Sequence, residues 1–528
     1  MRLLLGATLA VAGVWAGACS SSNGGSTTDA GTSDGGTSDG DTTDGGGEAS
    51  VDTIDWQPCG SGSSECATVT VPVDYEAPAD GNATLEIVRV PAGDPSQRVG
   101  VVFMNFGGPG VATVAQLSGA DGSFPLLAGS ADDTLRQRFD IIGIDWRGVG
   151  QSSPETKCYT PAIEQAVLAA PVDPTSDPTW AQLFAATNQI QAGCQATNDA
   201  KQMAHLDTAT FAHDMDTVRS MMGEDKINYL GFSYGTYLGE MYATLYPAHV
   251  RAMALDSPLF PAPDRRDRWR VAAPAQDDEL NQFFTWCASA AACTFGPTSG
   301  RTQGSIASAY DALTSQLDAT PIPTATAPLD GAAVKLVTLY FMFTPSTQWA
   351  QLGAGLTAAA SGDGSQLRPV ADYLLAPSDD PSNNFFSSYV SIFALDSPLP
   401  DGTSETDIRT FIEGEMTSAA PRLGPVNALN ELAPIVAWPF KPTHALPAIS
   451  APTAPPILLT ATLHDPACPY AGATAVQTAL GNGSYLVTYQ GSGHINGMQI
   501  ECMGTAIVAY LVDPTNPPAT TSCAAVPF

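Results

Sequence analysis

Residues 227–246 read I-N-Y-L-G-F-S-Y-G-T-Y-L-G-E-M-Y-A-T-L-Y. The first six form a short apolar run of strand character, the last dozen carry apolar residues at helical spacing, and G-F-S-Y-G (231–235) lies at the junction. A strand, a tight turn and a helix are the context a nucleophile elbow requires: side chains at 231 and 235 would clash with neighbouring backbone, and the helix N-terminus aims free N–H groups at the site. Ser233 is therefore the candidate nucleophile, with a merely structural turn serine as the competing reading.

Outward from this junction the chain alternates apolar runs with amphipathic stretches. Strands are expected at 98–106, 139–146, 227–232, 250–256, 456–463 and 484–489, and helices at 210–223, 234–246 and 496–512. Near-continuous apolar runs imply strands covered on both faces, so the fold class is α/β, a mostly parallel, doubly wound sheet. Between Asp256 and Pro456 the rhythm changes to prolines and aromatic helical stretches such as 279–287 and 334–343, which predicts a largely helical cap inserted into the core. The expected organisation is a signal peptide at 1–18, a flexible Gly/Ser/Thr/Asp linker at 19–50, a first part of the core at 51–258, the cap at 259–445 and a C-terminal part of the core at 446–528.

The 528 residues are 44% apolar and 14% charged, enough for a large core. With 53 acidic against 21 basic residues, the net charge of −32 repels phosphate backbones and excludes nucleic acid as a partner. The N-terminus, M-R-L-L-L-G-A-T-L-A-V-A-G-V-W-A-G-A-C, has one positive residue and an apolar run too short to span a bilayer, which reads as an export signal. Its A-G-A-C resembles a bacterial lipobox, with Ala16 where leucine is usual, and predicts lipidation of Cys19; plain secretion after cleavage near Ala18 is the alternative. The expected location is a bacterial membrane-anchored lipoprotein, otherwise a secreted or periplasmic protein, with the membrane touched only through that lipid. The linker would reach ~30 Å in root-mean-square terms.

Export makes the ten cysteines informative. Sequence proximity suggests Cys59 with Cys66, Cys158 with Cys194, Cys287 with Cys293 and Cys502 with Cys523, leaving Cys468 alone. Zinc-ligand spacing is absent, and neither a metal nor a cofactor is expected.

A serine nucleophile needs a base, and the chain has six histidines. His205 and His213 precede the serine, His249 and His444 sit beside a strand start and in a proline-rich connection, and His464 adjoins a candidate acid. His494, in the glycine-rich G-S-G-H after the last long strand, is the expected base. Asp465, directly after the strand 456–463, is favoured as the acid over Asp256, one strand earlier. The oxyanion donors are expected at Tyr234 N–H and, within one position, Gly108 N–H in N-F-G-G-P-G (105–110), since Pro109 has none.

The segments N-F-G-G-P-G, D-W-R-G-V-G-Q-S-S-P (145–154), I-N-Y-L-G-F-S-Y-G-T-Y-L-G, H-D-P-A-C-P-Y (464–470) and G-S-G-H (491–494), followed by Cys502 and Cys523, resemble the exported tripeptidyl-aminopeptidase branch of the α/β-hydrolases, related to prolyl aminopeptidases. They span residues 56–525. The resemblance implies an α/β-hydrolase fold with a TAP-like C-terminal segment and a Ser233, Asp465, His494 triad. The chain departs from that pattern at Val111, Ala112 and Thr113, at Cys468-Pro469 where Thr-Pro is usual, and at Glu240 where a small residue is usual.

The function this implies is an exported serine hydrolase that releases short peptides from free N-termini. An esterase or other ester/amide hydrolase with the same triad is the alternative, and a non-catalytic surface binding protein a remote one. The partners expected are a peptide or a small ester or amide. Cap carboxylates should hold the substrate ammonium; Glu413, Glu415, Asp277, Asp278 and Glu279 are available, with none assigned.

Overall fold

The computed structural model of the chain describes residues 54–60, 62–119, 125–375 and 384–527. The expected signal peptide, linker and lipid-bearing Cys19 lie outside the described residues. Among the described residues no helix is long and apolar enough to cross a membrane.

Ten strands build one sheet: β1 (Gln57–Pro58), β2 (Glu65–Pro72), β3 (Asn82–Val90), β4 (Gly100–Asn105), β5 (Phe139–Ile144), β6 (Ile227–Phe232), β7 (Val250–Asp256), β8 (Leu458–His464), β9 (Tyr485–Ser492) and β10 (Ser522–Cys523). Their order is β1-β2-β3-β5-β4-β6-β7-β8-β9-β10. Pairing is parallel from β5 to β10 and antiparallel among β1, β2, β3 and β5.

The six apolar runs expected as strands become β4 to β9. Their side chains alternate between two cores: Val101 and Phe103 face one, Val102 and Met104 the other. The helices Thr208–Met221 and Tyr234–Leu245 cover the first face through Phe211, Met215, Leu238 and Met241, while Ser130–Arg138 and Glu501–Val512 cover the second through Leu135, Met503 and Ile507. This is the doubly wound arrangement that the periodicity predicts. Each fully buried Leu, Ile or Phe on these faces contributes roughly 1.5–3 kcal/mol.

Two elements escape the continuous-run criterion. Strand β2 is apolar only on alternate residues, with Val69 and Val71 buried and Thr68 and Thr70 exposed, because one of its faces meets solvent, and β3 alternates until Ile87 and Val88, both buried. Period-two alternation in T-V-T-V-P and T-L-E-I-V-R-V was the available signal. The helix expected at 496–512 begins at Glu501, after a 3-10 turn at Asn496–Met498. Ile500, extended at φ −112° and ψ 112°, separates the two, and the Gly497 N–H of the turn donates to the Asp256 carboxylate at 2.8 Å.

Between β7 and β8 the described residues are helical, led by Arg265–Ser289, Gly331–Met342, Phe385–Asp396 and Gly424–Leu432. Trp269, Phe393 and Leu429 join the same apolar cluster as Tyr234 and Leu255, so the inserted helices are packed continuously onto the core. Arg147, from the D-W-R-G segment, is buried with Asp214: Nε donates to Oδ2 at 2.9 Å, Nη2 to Oδ1 at 2.5 Å and Nη1 to the Val73 carbonyl at 2.7 Å. That motif arginine ties β2 to the helix Thr208–Met221 and lies in the frame of the fold.

Disulfides join Cys59 to Cys66, Cys158 to Cys194, Cys287 to Cys293 and Cys502 to Cys523, and Cys468 is free and buried. The 36-residue separation of Cys158 and Cys194 makes theirs the largest closed loop, contributing about 3–4 kcal/mol by chain-entropy scaling.

Candidate active site

Ser233 stands at the carboxyl end of β6 as the N-cap of the helix Tyr234–Leu245, with φ 55° and ψ −121°. A non-glycine residue there stores roughly 1–3 kcal/mol of strain, so neighbours must hold it. Its N–H donates to the Asp256 carbonyl at 2.9 Å, and its own carbonyl accepts from Thr236 N at 2.9 Å and Thr236 Oγ1 at 2.6 Å. The flanking glycines are steric necessities: a Cβ at Gly231 would meet the Gly235 carbonyl oxygen at 2.4 Å, and one at Gly235 would meet that of Asn105 at 2.5 Å. The hydroxyl is left almost free; among the described residues its contact is the Cys468 thiol, Sγ at 4.0 Å.

His494 follows β9 and Asp465 follows β8. His494 Nδ1 lies 3.0 Å from Asp465 Oδ1 and 2.9 Å from Oδ2, and the same Oδ1 accepts from the amides of Ala467 and Cys468 at 2.9 and 2.8 Å. With Nδ1 engaged, Nε2 is the nitrogen left for a reacting group. The inserted helices help place the ring: His494 N–H donates to the Phe343 carbonyl at 3.0 Å, and the two rings lie tilted by 42° with centroids 5.5 Å apart.

The other five histidines are occupied elsewhere. His205 meets Thr443, His213 meets Tyr246, His249 pairs with Asp216, His444 with Glu76, and His464 Nδ1 with Asp278 at 2.6 Å.

Asp256, the rival acid, does not face the imidazole. It accepts from Thr460 Oγ1 at 2.7 Å and from Gly497 N–H at 2.8 Å, and burial pushes its carboxyl up to about 6. Next to it, Ser257 Oγ accepts from Ile495 N–H at 2.9 Å. One short segment thus braces both the serine turn, through the Asp256 carbonyl, and the histidine loop.

The loop after β4 approaches the serine closely. A Cβ on Gly107 would lie 2.6 Å from the Phe232 carbonyl oxygen and 3.1 Å from Tyr234 N, so only glycine permits the contact. Gly107 N–H is taken by Asn105 Oδ1 at 2.7 Å. The amides of Gly108 and Tyr234 find no acceptor among the described residues, and both lie at this junction. Ser233, Asp465, His494, Gly108 and Tyr234 are all brought to the carboxyl ends of β4, β6, β8 and β9, where open α/β sheets bind ligands.

The five cap carboxylates scatter. Glu413 binds Arg409 and Trp180, Glu415 binds Arg270, Asp277 caps the amides of Arg422 and Leu423, and Asp278 holds His464. Glu279 alone of the five points inward, fully buried against Ser492 and Gly493 without closing a hydrogen bond, and burial raises its carboxyl well above the ordinary range.

Glu240, behind the serine, is also fully buried with both carboxyl oxygens unpartnered, and burial raises its pKa well above 4.5. A carboxyl kept protonated by the fold stabilises below its unfolded pKa, and that contribution is lost as pH rises through the folded one. Glu240→Met should therefore stabilise the protein by roughly 1–3 kcal/mol near neutral pH, and by less near pH 4. Thermal melts at the two pH values check this; a gain that does not grow with pH refutes it.

Two family models match the chain, alpha/beta hydrolase fold over residues 101–306 and TAP-like protein over 425–523. The chain is 30% identical over 497 residues to a serine protease, Hip1, of Mycobacterium tuberculosis, covering 89% of this chain and 91% of that protein. It is 30% identical over 477 residues to a protein named carboxylesterase B of the same organism, covering 88% and 86%. A tripeptidyl aminopeptidase of Streptomyces lividans is 28% identical over 473 residues, covering 87% and 84%.

Proposed function

Because the chain belongs to the TAP-like α/β-hydrolases and is a serine hydrolase, we propose that it is an exported aminopeptidase releasing short peptides from free N-termini. The observation that carries the catalytic part of this reading is the contact of His494 Nδ1 with both Asp465 oxygens, 3.0 and 2.9 Å, beside a strained serine with a free hydroxyl. Asp465 orients the imidazole and stabilises its charged form. His494 Nε2 takes the Ser233 proton as Oγ attacks the substrate carbonyl. Gly108 and Tyr234 N–H groups donate to the oxyanion of the tetrahedral intermediate. Its collapse breaks the C–N bond, the amine leaves with the proton from His494, and water then cleaves the acyl-enzyme by the same steps.

Peptide chemistry is supported by relatives named as a serine protease and a tripeptidyl aminopeptidase. The relative named carboxylesterase B keeps ester hydrolysis as the second reading. Four disulfides, and an apolar N-terminal run that reads as an export signal, support export.

The test is a substrate panel of N-terminally free and N-acetylated di- and tripeptide amides beside short-chain nitrophenyl esters. Free-amine peptides should be cleaved with a higher kcat/KM than their acetylated twins by at least about tenfold, the loss of one charge contact. Turnover of esters alone overturns the peptidase reading.

A further inference from the structure

Near the serine, one cation shares its counter-charge with a second arginine. Arg268 lies on the helix Arg265–Ser289, half-buried, its guanidinium carbon 5.6 Å from the centre of the Phe393 ring, which Arg265 covers at 3.6 Å and which meets Tyr234 edge-on at 5.8 Å. Its polar company is the Glu431 carboxylate, the Cys468 thiol and the Tyr389 hydroxyl. Cys468 is the residue that touches Ser233 Oγ, at 4.0 Å.

Glu431 is already spent. Its Oε2 accepts from Arg265 Nη2 at 2.6 Å, Arg265 Nε at 3.1 Å and Trp269 Nε1 at 3.1 Å, and its Oε1 from the Tyr389 hydroxyl at 2.5 Å. Arg265 and Glu431 cancel, and Arg268 leaves the cluster with one net positive charge. Its Nε is buried with no hydrogen-bond partner, and no carboxylate among the described residues pairs with it. Its neighbours on the same helix differ: Arg266 pairs with Asp264, and Arg270 with Asp267 and Glu415. In a chain with 53 acidic and 21 basic residues, carboxylates are plentiful, so two arginines sharing one carboxylate, with only the Cys468 thiol between Arg268 and Ser233, leave a positive charge open to an incoming anion.

We propose that Arg268 binds a substrate carboxylate beside the scissile bond, so that the enzyme selects substrates carrying an acidic group next to the cleaved carbonyl. The guanidinium fork suits a carboxylate. The net charge of −32 repels acidic substrates at long range, so their selection must come from a short-range contact of this kind. The inference rests on the Ser233-centred reading for its location only; it holds whether amide or ester is cleaved.

Three matched pairs test it: Ala-Ala-Glu against Ala-Ala-Gln coumarylamide, Ala-Ala-Ala-Glu against Ala-Ala-Ala-Gln with cleavage after the third residue, and nitrophenyl hydrogen glutarate against nitrophenyl pentanoate. The acidic member of at least one pair should have the higher kcat/KM by about ten- to a hundredfold. Arg268→Gln should bring that ratio near one while changing turnover of the neutral member by less than about threefold. Arg268→Lys, which keeps the charge and loses the fork, should leave an intermediate ratio, and it decides the matter if the glutamine variant does not fold. Ratios at or below one in every pair, or a preference untouched by both substitutions, overturn the proposal. If the peptides are inert, the ester pair still decides it, so failure of the peptidase reading is told apart from failure of this one.

Discussion

Ser233→Ala should lower kcat by about 10⁴–10⁶ on every substrate the enzyme turns over, leaving only the residual catalysis of the oxyanion donors and binding. The fold should be unaffected. The hydroxyl makes a single contact, 4.0 Å from a thiol, whereas the bonds that hold the turn run through the Ser233 backbone to Asp256 and Thr236. Alanine keeps the Cβ and therefore the same strain at φ 55°. Single-turnover kinetics and a thermal melt of the same preparation check both halves. Wild-type rates in a folded variant would remove Ser233 from the mechanism.

Asp465→Asn and Asp256→Asn should differ by orders of magnitude although both replace a buried carboxylate. At 465 the amide cannot both accept from Nδ1–H and stabilise the imidazolium, and kcat should fall by about 10⁴. At 256 the partners are the Thr460 hydroxyl and the Gly497 amide. An asparagine carbonyl can still accept one of these bonds, so kcat should fall by less than about tenfold, with the main cost in stability. The Asp256 carboxyl stands at about 6, above its ordinary 3.8, so its own ionisation destabilises the fold as pH rises through about 6. The asparagine variant, which cannot ionise, should accordingly lose less stability than the wild type between about pH 4 and pH 6. Pre-steady-state kinetics and melts across that window separate the two positions, and equal kinetic losses would return Asp256 to contention as the acid.

Much of the architecture is legible along the chain because its causes are local. The runs that became β4 to β9 are apolar on every residue since helices cover both faces, and that requirement is written into consecutive positions. Most of the β2–β3 hairpin obeys another local rule, alternation, which a continuous apolar run does not reveal. The last helix starts only at Glu501, after an extended Ile500, and the turn before it is tied down by a contact no local pattern carries: the Gly497 amide bonds an aspartate 241 residues away.

The same division runs through the site. Order along the chain, the glycines about Ser233 and the few histidines were sufficient to nominate Ser233, His494 and the residues of the oxyanion loop, since backbone sterics and strand–turn–helix succession act between neighbours. Which aspartate faces His494, and that Asp256 and Ser257 instead brace the serine and histidine loops, was decided only by the closure of loops from four strands onto one edge of the sheet. In the sequence Glu279 is one of five equivalent carboxylates, and nothing in it singles out Arg268. Packing buried the first against the histidine loop and left the second sharing the Glu431 carboxylate with Arg265, next to the thiol that contacts Ser233. Identity and spacing are properties of the chain. The company a charged side chain keeps is a property of three-dimensional contact, because desolvation and pairing depend on what lies a few ångströms away in space, however far along the sequence.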